Sequence, residues 1–261
     1  MTRPAVVMIH GAFCAGWAFE QFRLPFEAAG YTVLAPDLRH HDRPRHAPHQ
    51  ALASTSVKDY AADLAALIRA RGEPVILVGH SMGGLLAQML AADGRLPVKA
   101  AILIAPSAPW GILPGSAAEI AAAQGLFMAG DFWQQVLQPT RWIAYANALD
   151  ALDPAAQAHV YARFVPESGR AMFEILHWPM DMTKSSFVFP RDVRCPVFAA
   201  AGGRDRVNPA GTVKQIAARY RERGTYRLYP EMSHWMVGEP GWEDVARDAL
   251  AWLAESGLQA A

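Results

Sequence analysis

The chain has 261 residues with 24 basic and 24 acidic side chains, so its formal net charge is zero. This balance offers no basic surface for nucleic acid, and no apolar run approaches the roughly 18 residues of a transmembrane helix. Two cysteines are too few for a disulfide framework. Because the first predicted strand begins at Ala5, no room remains for a signal peptide, and we expect a cytosolic protein without nucleic-acid or membrane partners.

Predicted strands and helices alternate along the chain. Strands are predicted at 5–9, 31–35, 75–79, 100–105, 196–201 and 225–229, and helices at 17–29, 56–71, 82–92, 210–222 and 241–256. Apolar runs such as Ala100–Ala105 are typical of strands that are buried on both faces. The predicted fold class is therefore α/β, with a mostly parallel sheet of about six strands flanked by helices.

The loop after the first predicted strand begins with His10 and Gly11. Gly11 permits a tight reversal, and backbone N–H groups in such a loop can bind the oxyanion of an acyl-transfer reaction. We expect the N–H of Ala12 to be one oxyanion donor, with Phe13 as the second choice. The side chain of Phe13 is also a candidate for the wall of an apolar substrate pocket.

The strand predicted at 75–79 runs directly into Gly79–Gly83, which reads Gly-His-Ser-Met-Gly. A strand that passes into a helix through G-x-S-x-G is a nucleophile elbow, with small residues two positions before and after the serine. The turn exposes the hydroxyl at the start of the next helix, where N–H groups and the helix dipole favour negative charge. We therefore predict Ser81 as the nucleophile and the N–H of Met82 as the other oxyanion donor.

Residues 110–189, called the insertion below, interrupt the alternation between the fourth and fifth predicted strands. This segment contains 12 aromatic residues and is too long for a loop. Helices are predicted in it at 116–129, 131–148, 154–164 and 168–176. We expect residues 1–109 and 190–261 to form the core domain and the insertion to form a helical subdomain. Trp110 is predicted to border an apolar pocket, which suits an acyl or aryl ester.

A serine nucleophile requires a base and a group that orients the base. Asp205 follows the strand predicted at 196–201, and His234 follows the last predicted strand. Taken alone, Asp205 could be a salt-bridged loop residue and His234 a polar turn residue. Their order after Ser81 and their places beyond strand ends instead predict a Ser81–His234–Asp205 triad. Trp235, directly after the histidine, is predicted near the mouth of the pocket.

The other histidines and Cys14 have simpler interpretations. His10 is interpreted as a structural hydrogen-bonding residue, and His80 as pointing away from the nucleophile. Four further histidines lie between residues 40 and 49 without the regular spacing of a metal site, so no metal and no other cofactor is predicted. Cys14 is interpreted as a small apolar lining residue, with a reactive thiol as the alternative.

Taken together, the histidine–glycine loop, the elbow at Ser81, Asp205 and His234 resemble the α/β-hydrolase superfamily over almost the whole chain. Residues 10–17 are similar to the H-G-A-x-x-x-x-W stretch of plant methylesterases and their hydroxynitrile lyase relatives. Those lyases carry a lysine after the histidine, where this chain has Trp235, so the resemblance favours an esterase. It also implies that the insertion forms a helical cap over the nucleophile.

The sequence thus predicts a serine esterase that cleaves carboxylic esters, of acyl or aryl type or lactones, through an acyl-enzyme. Its expected partner is a small apolar ester substrate. Two alternatives stay open. One is a hydrolase of C–C bonds that uses the same triad, and the other is a capped ligand-binding receptor that retains the triad.

Overall fold

The computed structural model describes residues 4–113 and 131–258. Its strands are β1 (Ala5–Ile9), β2 (Val33–Leu34), β3 (Val75–His80), β4 (Val98–Ile104), β5 (Val136–Leu137), β6 (Glu167–Ser168), β7 (Val197–Gly202) and β8 (Gly224–Tyr229). Six of them form one parallel sheet in the order β2-β1-β3-β4-β7-β8. This confirms the predicted α/β class and the six-stranded sheet.

The strand register brings the carboxyl ends of the central strands side by side. Ile9 of β1 pairs with Gly79 of β3, whose next residue, His80, pairs with Ile104 of β4. Ile104 in turn pairs with Ala200 of β7. The loops that follow these strands therefore meet at one edge of the sheet, which is where open α/β sheets carry their sites.

Helices cover both faces of the sheet. They are α1 (Arg23–Ala28), α2 (Val57–Arg71), α3 (Met82–Ala91), α4 (Arg141–Ile143), α5 (Pro154–Arg163), α6 (Gly169–Leu176), α7 (Ala210–Ala218) and α8 (Trp242–Glu255). Buried side chains of α2, α3 and α7 share one apolar core cluster, and those of α1 and α8 share another. None of the helices within the described ranges is long and apolar enough to span a membrane.

Helix α2 shows how local sequence sets the element boundaries. Ser56 and Asp59 form a capping box at its start, which satisfies backbone N–H groups that would otherwise have no partner. The helix ends at Gly72, whose φ of 67° places it in the left-handed region that glycine adopts without strain. The bounds therefore agree with the prediction of 56–71 to within one residue.

The single helix predicted at 17–29 is wrong in one respect. The structure divides it into a 3-10 turn at Gly16–Phe19 and the short helix α1. Pro25 has no N–H to donate to a carbonyl four residues earlier, so an α-helix can begin only shortly before it. The helix predicted at 210–222 likewise ends early, at Ala218, and a 3-10 turn at Arg221–Arg223 follows.

The insertion is less regular than predicted. The helix expected at 131–148 is wrong, because the structure has a 3-10 turn, the strand β5, and then α4 continued by a π-helical turn at Ala144–Ala148. Pro139, just before α4, prevents a continuous helix. Strand β5 pairs antiparallel with β6, a small sheet that was not predicted. Helices α5 and α6 match predicted ones, whereas 116–129 lies outside the described residues.

Candidate active site

Ser81 occupies a strained turn between β3 and α3. Its φ and ψ are 53° and −120°, and the residue is 8% exposed. A Cβ at Gly79 would lie 2.2 Å from the Gly83 carbonyl oxygen, and a Cβ at Gly83 would lie 1.9 Å from that of Ile9. Because real Cβ atoms never approach a backbone oxygen so closely, the packing around the elbow requires glycine at both positions.

Asp205 and His234 form a buried pair on the loops after β7 and β8. His234 Nδ1 lies 2.9 Å from Asp205 Oδ2. The other carboxylate oxygen, Oδ1, accepts hydrogen bonds from the N–H groups of Val207 and Asn208 at 2.7 and 2.8 Å. A carboxylate at Nδ1 favours the tautomer with its proton on that nitrogen, which leaves Nε2 able to accept a proton.

His80 connects the elbow to the loop that carries His234. Its Nε2–H donates to the His234 carbonyl at 2.9 Å, and the two ring centroids are 4.9 Å apart. Burial, together with the neighbouring His234, lowers the pKa of His80 to about 3, so this imidazole is neutral. Since His80 directly precedes Ser81, the loops of Ser81 and His234 are held together at the carboxyl edge of the sheet.

The loop after β1 lies against the elbow. A Cβ at Gly11 would be 3.0 Å from the Cβ of Ser81. The Phe13 N–H donates to a carboxylate oxygen of Glu167 at 3.3 Å, so it is committed elsewhere. By contrast, the N–H groups of Ala12 and Met82 donate to no residue in the part of the chain that the structure describes. These two groups remain our candidates for the oxyanion donors.

The predicted pocket aromatics occupy different surroundings. Trp235 is 4% exposed, packs against Trp17 and Phe164 at ring-centroid distances of 5.9 and 6.2 Å, and borders a cavity of about 170 Å³. Trp110 packs against Trp178 at 4.9 Å and borders a cavity of about 620 Å³. Trp235 therefore belongs to the core beside the site, while Trp110 lies in an aromatic cluster of the insertion.

Buried side chains near the site include two with purely structural contacts. His10 Nδ1–H donates to the Gly11 carbonyl at 2.9 Å, and its Nε2 accepts from the Leu38 N–H at 3.0 Å. Burial raises the pKa of the Cys14 thiol far above its usual range, so Cys14 stays protonated and unreactive. Within the described ranges, no group of three or more His, Cys, Asp or Glu side chains could hold a metal ion.

One buried cluster of the insertion has no counterpart among the predicted site residues. Glu167, on β6 of the insertion, is fully buried and accepts hydrogen bonds from His41 Nε2 at 3.1 Å and from the Tyr60 hydroxyl at 2.8 Å. These partners are more than 100 positions away in the chain, so no local pattern indicates the contact. In the sequence, His41 is one of four histidines between residues 40 and 49 without a regular spacing.

Glu239 is a buried carboxyl group beside the loop of His234, and its protonation links the stability of the protein to pH. This buried carboxylate accepts a 2.6 Å hydrogen bond from the N–H of Ser233, the residue before His234. Burial raises its pKa from 4.5 to about 7. In the native state the carboxyl therefore keeps its proton at pH values where the unfolded chain has lost it. The resulting loss of stability develops as the pH rises from about 4.5 to about 7.

We expect Glu239→Gln to remove this pH dependence. Between pH 5 and pH 8 the buried carboxyl should lower the free energy of unfolding of the wild type by about 2–3 kcal/mol. The variant has no titrating group at this position and should not show this loss. Urea unfolding of both proteins at the two pH values measures this difference. Equal changes in stability for wild type and variant would contradict the assignment.

Comparisons with known proteins identify the family of the chain. A family model for the alpha/beta hydrolase family matches residues 6–248. The chain is 34% identical over 117 residues to the sn-1-specific diacylglycerol lipase of Mus musculus, covering 44% of this chain and 36% of that protein. It spans only about a third of the length of each curated relative that it matches here.

Two solved plant structures share the fold over nearly their full length. Tomato methylketone synthase I, complexed with 2-tridecanone, aligns with a TM-score of 0.71 at 15% identity, covering 98% of this chain and 100% of that one. A methylesterase from Arabidopsis aligns with a TM-score of 0.71 at 14% identity, covering 96% and 99%. At this level of identity the likeness concerns the fold alone.

Proposed function

The chain belongs to the alpha/beta hydrolase family, and we propose that within this family it is a serine hydrolase of carboxylic esters. The observation that carries the proposal is the buried His234–Asp205 pair, at 2.9 Å, on loops that meet the elbow at Ser81. An imidazole oriented by a carboxylate beside a serine at a helix N-terminus is the arrangement that acyl transfer requires.

In the proposed mechanism, Ser81 Oγ attacks the ester carbonyl while His234 Nε2 takes the hydroxyl proton. Asp205 stabilises the imidazolium that forms. The N–H groups of Ala12 and Met82 bind the oxyanion of the tetrahedral intermediate. As that intermediate collapses, the alcohol leaves with the proton from His234. Water, activated by the same imidazole, then cleaves the acyl-enzyme and regenerates Ser81.

Several features support an apolar substrate. Phe13 directly follows Ala12 and Trp235 directly follows His234. Trp110 lies three residues after Ser107, whose N–H donates to the Ser81 carbonyl, although none of the triad residues lines the cavity that Trp110 borders. We retain all three aromatic residues as proposed substrate contacts. We also propose that the insertion acts as a cap over Ser81. A neighbour of the same fold holds 2-tridecanone, an apolar ketone, which shows that this fold can accommodate such compounds.

Presteady-state kinetics with a chromogenic ester test the proposal. We expect a burst of released alcohol equal to the enzyme concentration, followed by slower turnover as the acyl-enzyme hydrolyses. Turnover of vinylogous diketones but not of esters would instead favour cleavage of C–C bonds. Binding of apolar ligands with neither a burst nor turnover would favour the receptor.

Trp110→Ala tests the proposed substrate contact in the insertion. If the ring contacts the substrate, its removal leaves space beside the bound ester, so kcat/KM should shift in favour of bulkier acyl or alcohol groups. Trp178→Ala is the matched control, because Trp178 packs against Trp110 at 4.9 Å without bordering the cavity beside Trp110. Kinetics across an ester series measure both variants. An unchanged profile in Trp110→Ala, with a lowered Tm, would assign the residue to packing.

A further inference from the structure

Phe13 adopts an unfavourable backbone conformation in the loop after β1. Its φ is 63°, in the left-handed region that bulky side chains rarely occupy. It is the third residue of a turn closed by the hydrogen bond from the Cys14 N–H to the Gly11 carbonyl, at 3.3 Å. Glycine is the usual residue where that position has positive φ. The surrounding structure must therefore hold Phe13 in place.

The insertion binds both polar backbone groups of Phe13. The Phe13 N–H donates to Glu167 Oε2 at 3.3 Å, and the Phe13 carbonyl accepts from the Val165 N–H at 2.8 Å. The peptide groups on both sides of Phe13 are thereby fixed. One of these joins it to Ala12, the residue whose N–H has no acceptor among the described residues and is the proposed oxyanion donor.

Four donors surround the Glu167 carboxylate, two at each oxygen. Oε2 accepts from Phe13 N–H and from His41 Nε2, and Oε1 accepts from the Tyr60 hydroxyl and the Ser168 N–H. Burial alone would raise the pKa of this carboxyl, but His41 and these hydrogen bonds lower it below its usual value. Glu167 therefore faces Phe13 as a carboxylate whose position its other three partners fix.

We propose that Glu167 is a positioning residue for the oxyanion hole. Through Phe13 it fixes the conformation of the loop in which the Ala12 N–H faces the reacting carbonyl. This inference rests on the proposed function, because an oxyanion hole has a role only in acyl transfer. It assigns the insertion a part in assembling the catalytic geometry, in addition to covering Ser81.

Glu167→Gln is the first test. A backbone N–H lies at each oxygen, from Phe13 at Oε2 and from Ser168 at Oε1, so an amide must turn its NH₂ group toward one of these donors. The shorter 2.7 Å bond to Ser168 should keep the amide oxygen, and the Phe13 N–H should lose its acceptor. We expect kcat to fall about 10- to 100-fold with KM changed less than about threefold, since the donor acts in the transition state.

Glu174→Gln is the matched control. Glu174 is also a fully buried carboxylate of the insertion, and it accepts hydrogen bonds from the Ser56 hydroxyl and the Val57 N–H at the start of α2. Its replacement weakens attachment of the insertion without touching the loop after β1. The control should therefore lose thermal stability and keep the wild-type kcat.

The outcomes separate this inference from the proposed function. A wild-type kcat in Glu167→Gln, or equal losses of kcat in Glu167→Gln and Glu174→Gln, would overturn the positioning role. Ester turnover by the wild-type protein would still support the proposed esterase. Absence of ester turnover in the wild type would overturn the proposed function and the inference with it.

A double-mutant cycle with Phe13→Gly gives a second readout. Glycine accepts positive φ without strain, so Glu167→Gln should lower kcat less in the Phe13→Gly background than in the wild type. Equal losses in both backgrounds would contradict the inference. If Glu167→Gln does not fold, Val165→Pro is the alternative variant, because proline lacks the N–H that donates the other hydrogen bond to Phe13. The preceding residue, Phe164, has a ψ of 143°, which suits a residue before proline. It should lower kcat in the same way, and an unchanged kcat would overturn the proposal.

Discussion

Ser81→Ala is expected to lower kcat for ester hydrolysis by about 10⁴- to 10⁶-fold while leaving the fold intact. The reason is that the hydroxyl is the proposed nucleophile. The hydrogen bonds of Ser81 within the described ranges use its backbone. Its N–H donates to Ile104, and its carbonyl accepts from the N–H groups of Gly84, Leu85 and Ser107. Alanine preserves these bonds, so Tm should change little. Initial rates and thermal melting measure the two expectations.

Ser107→Ala provides the matched control, since Ser107 is a second buried serine whose N–H donates to the Ser81 carbonyl at 2.9 Å. It should retain wild-type activity. A fluorophosphonate should modify Ser81 alone, as peptide mass spectrometry would show. An active Ser81→Ala enzyme, or modification at another residue, would refute the assignment of the nucleophile.

Asp205→Asn should lower kcat by about 10³- to 10⁴-fold through the orientation of the histidine. The amide oxygen would keep the two N–H donors of Val207 and Asn208, which turns the NH₂ group toward His234 Nδ1. His234 must then carry its proton on Nε2, where the base is needed. Initial rates, together with circular dichroism to verify folding, test this expectation.

Asp150→Asn is the control for this substitution. Asp150 accepts a hydrogen bond from the hydroxyl of Ser233, the neighbour of His234, and an asparagine oxygen can accept the same bond. The variant should therefore remain active. A nearly wild-type rate in Asp205→Asn would show that another group orients the histidine.

The four central strands of the sheet could be predicted because they are apolar runs whose burial is almost complete. β3 and β7 are buried at every position, and their predicted bounds agree with the structure to within one residue at each end. The elbow could also be predicted from the sequence. A Cβ atom at position 79 or 83 would lie about 2 Å from a backbone oxygen, so only glycine fits at these two positions.

Errors arose where one residue overrides a longer periodic pattern. Pro25 divided the first predicted helix, and Pro139 excluded a single helix at 131–148. Glu167 was missed for a different reason. Its partners Phe13, His41 and Tyr60 are distant in the chain, and their proximity depends on how the insertion packs on the core. No local pattern carries that information.

Three carboxylates of the insertion accept hydrogen bonds from the core, and together they restrict movement of the insertion as a rigid body. Asp150 binds Ser233, Glu167 binds Phe13, and Glu174 binds the start of α2. A rigid-body swing of the whole segment would break all three attachments at once and leave the N–H groups of Phe13 and Val57 without their carboxylate acceptors. With the insertion as the proposed cap, substrate would reach Ser81 through local rearrangement and not through a swing of the whole segment. Hydrogen exchange should then find the amides of Phe13 and Val57 among its slowest.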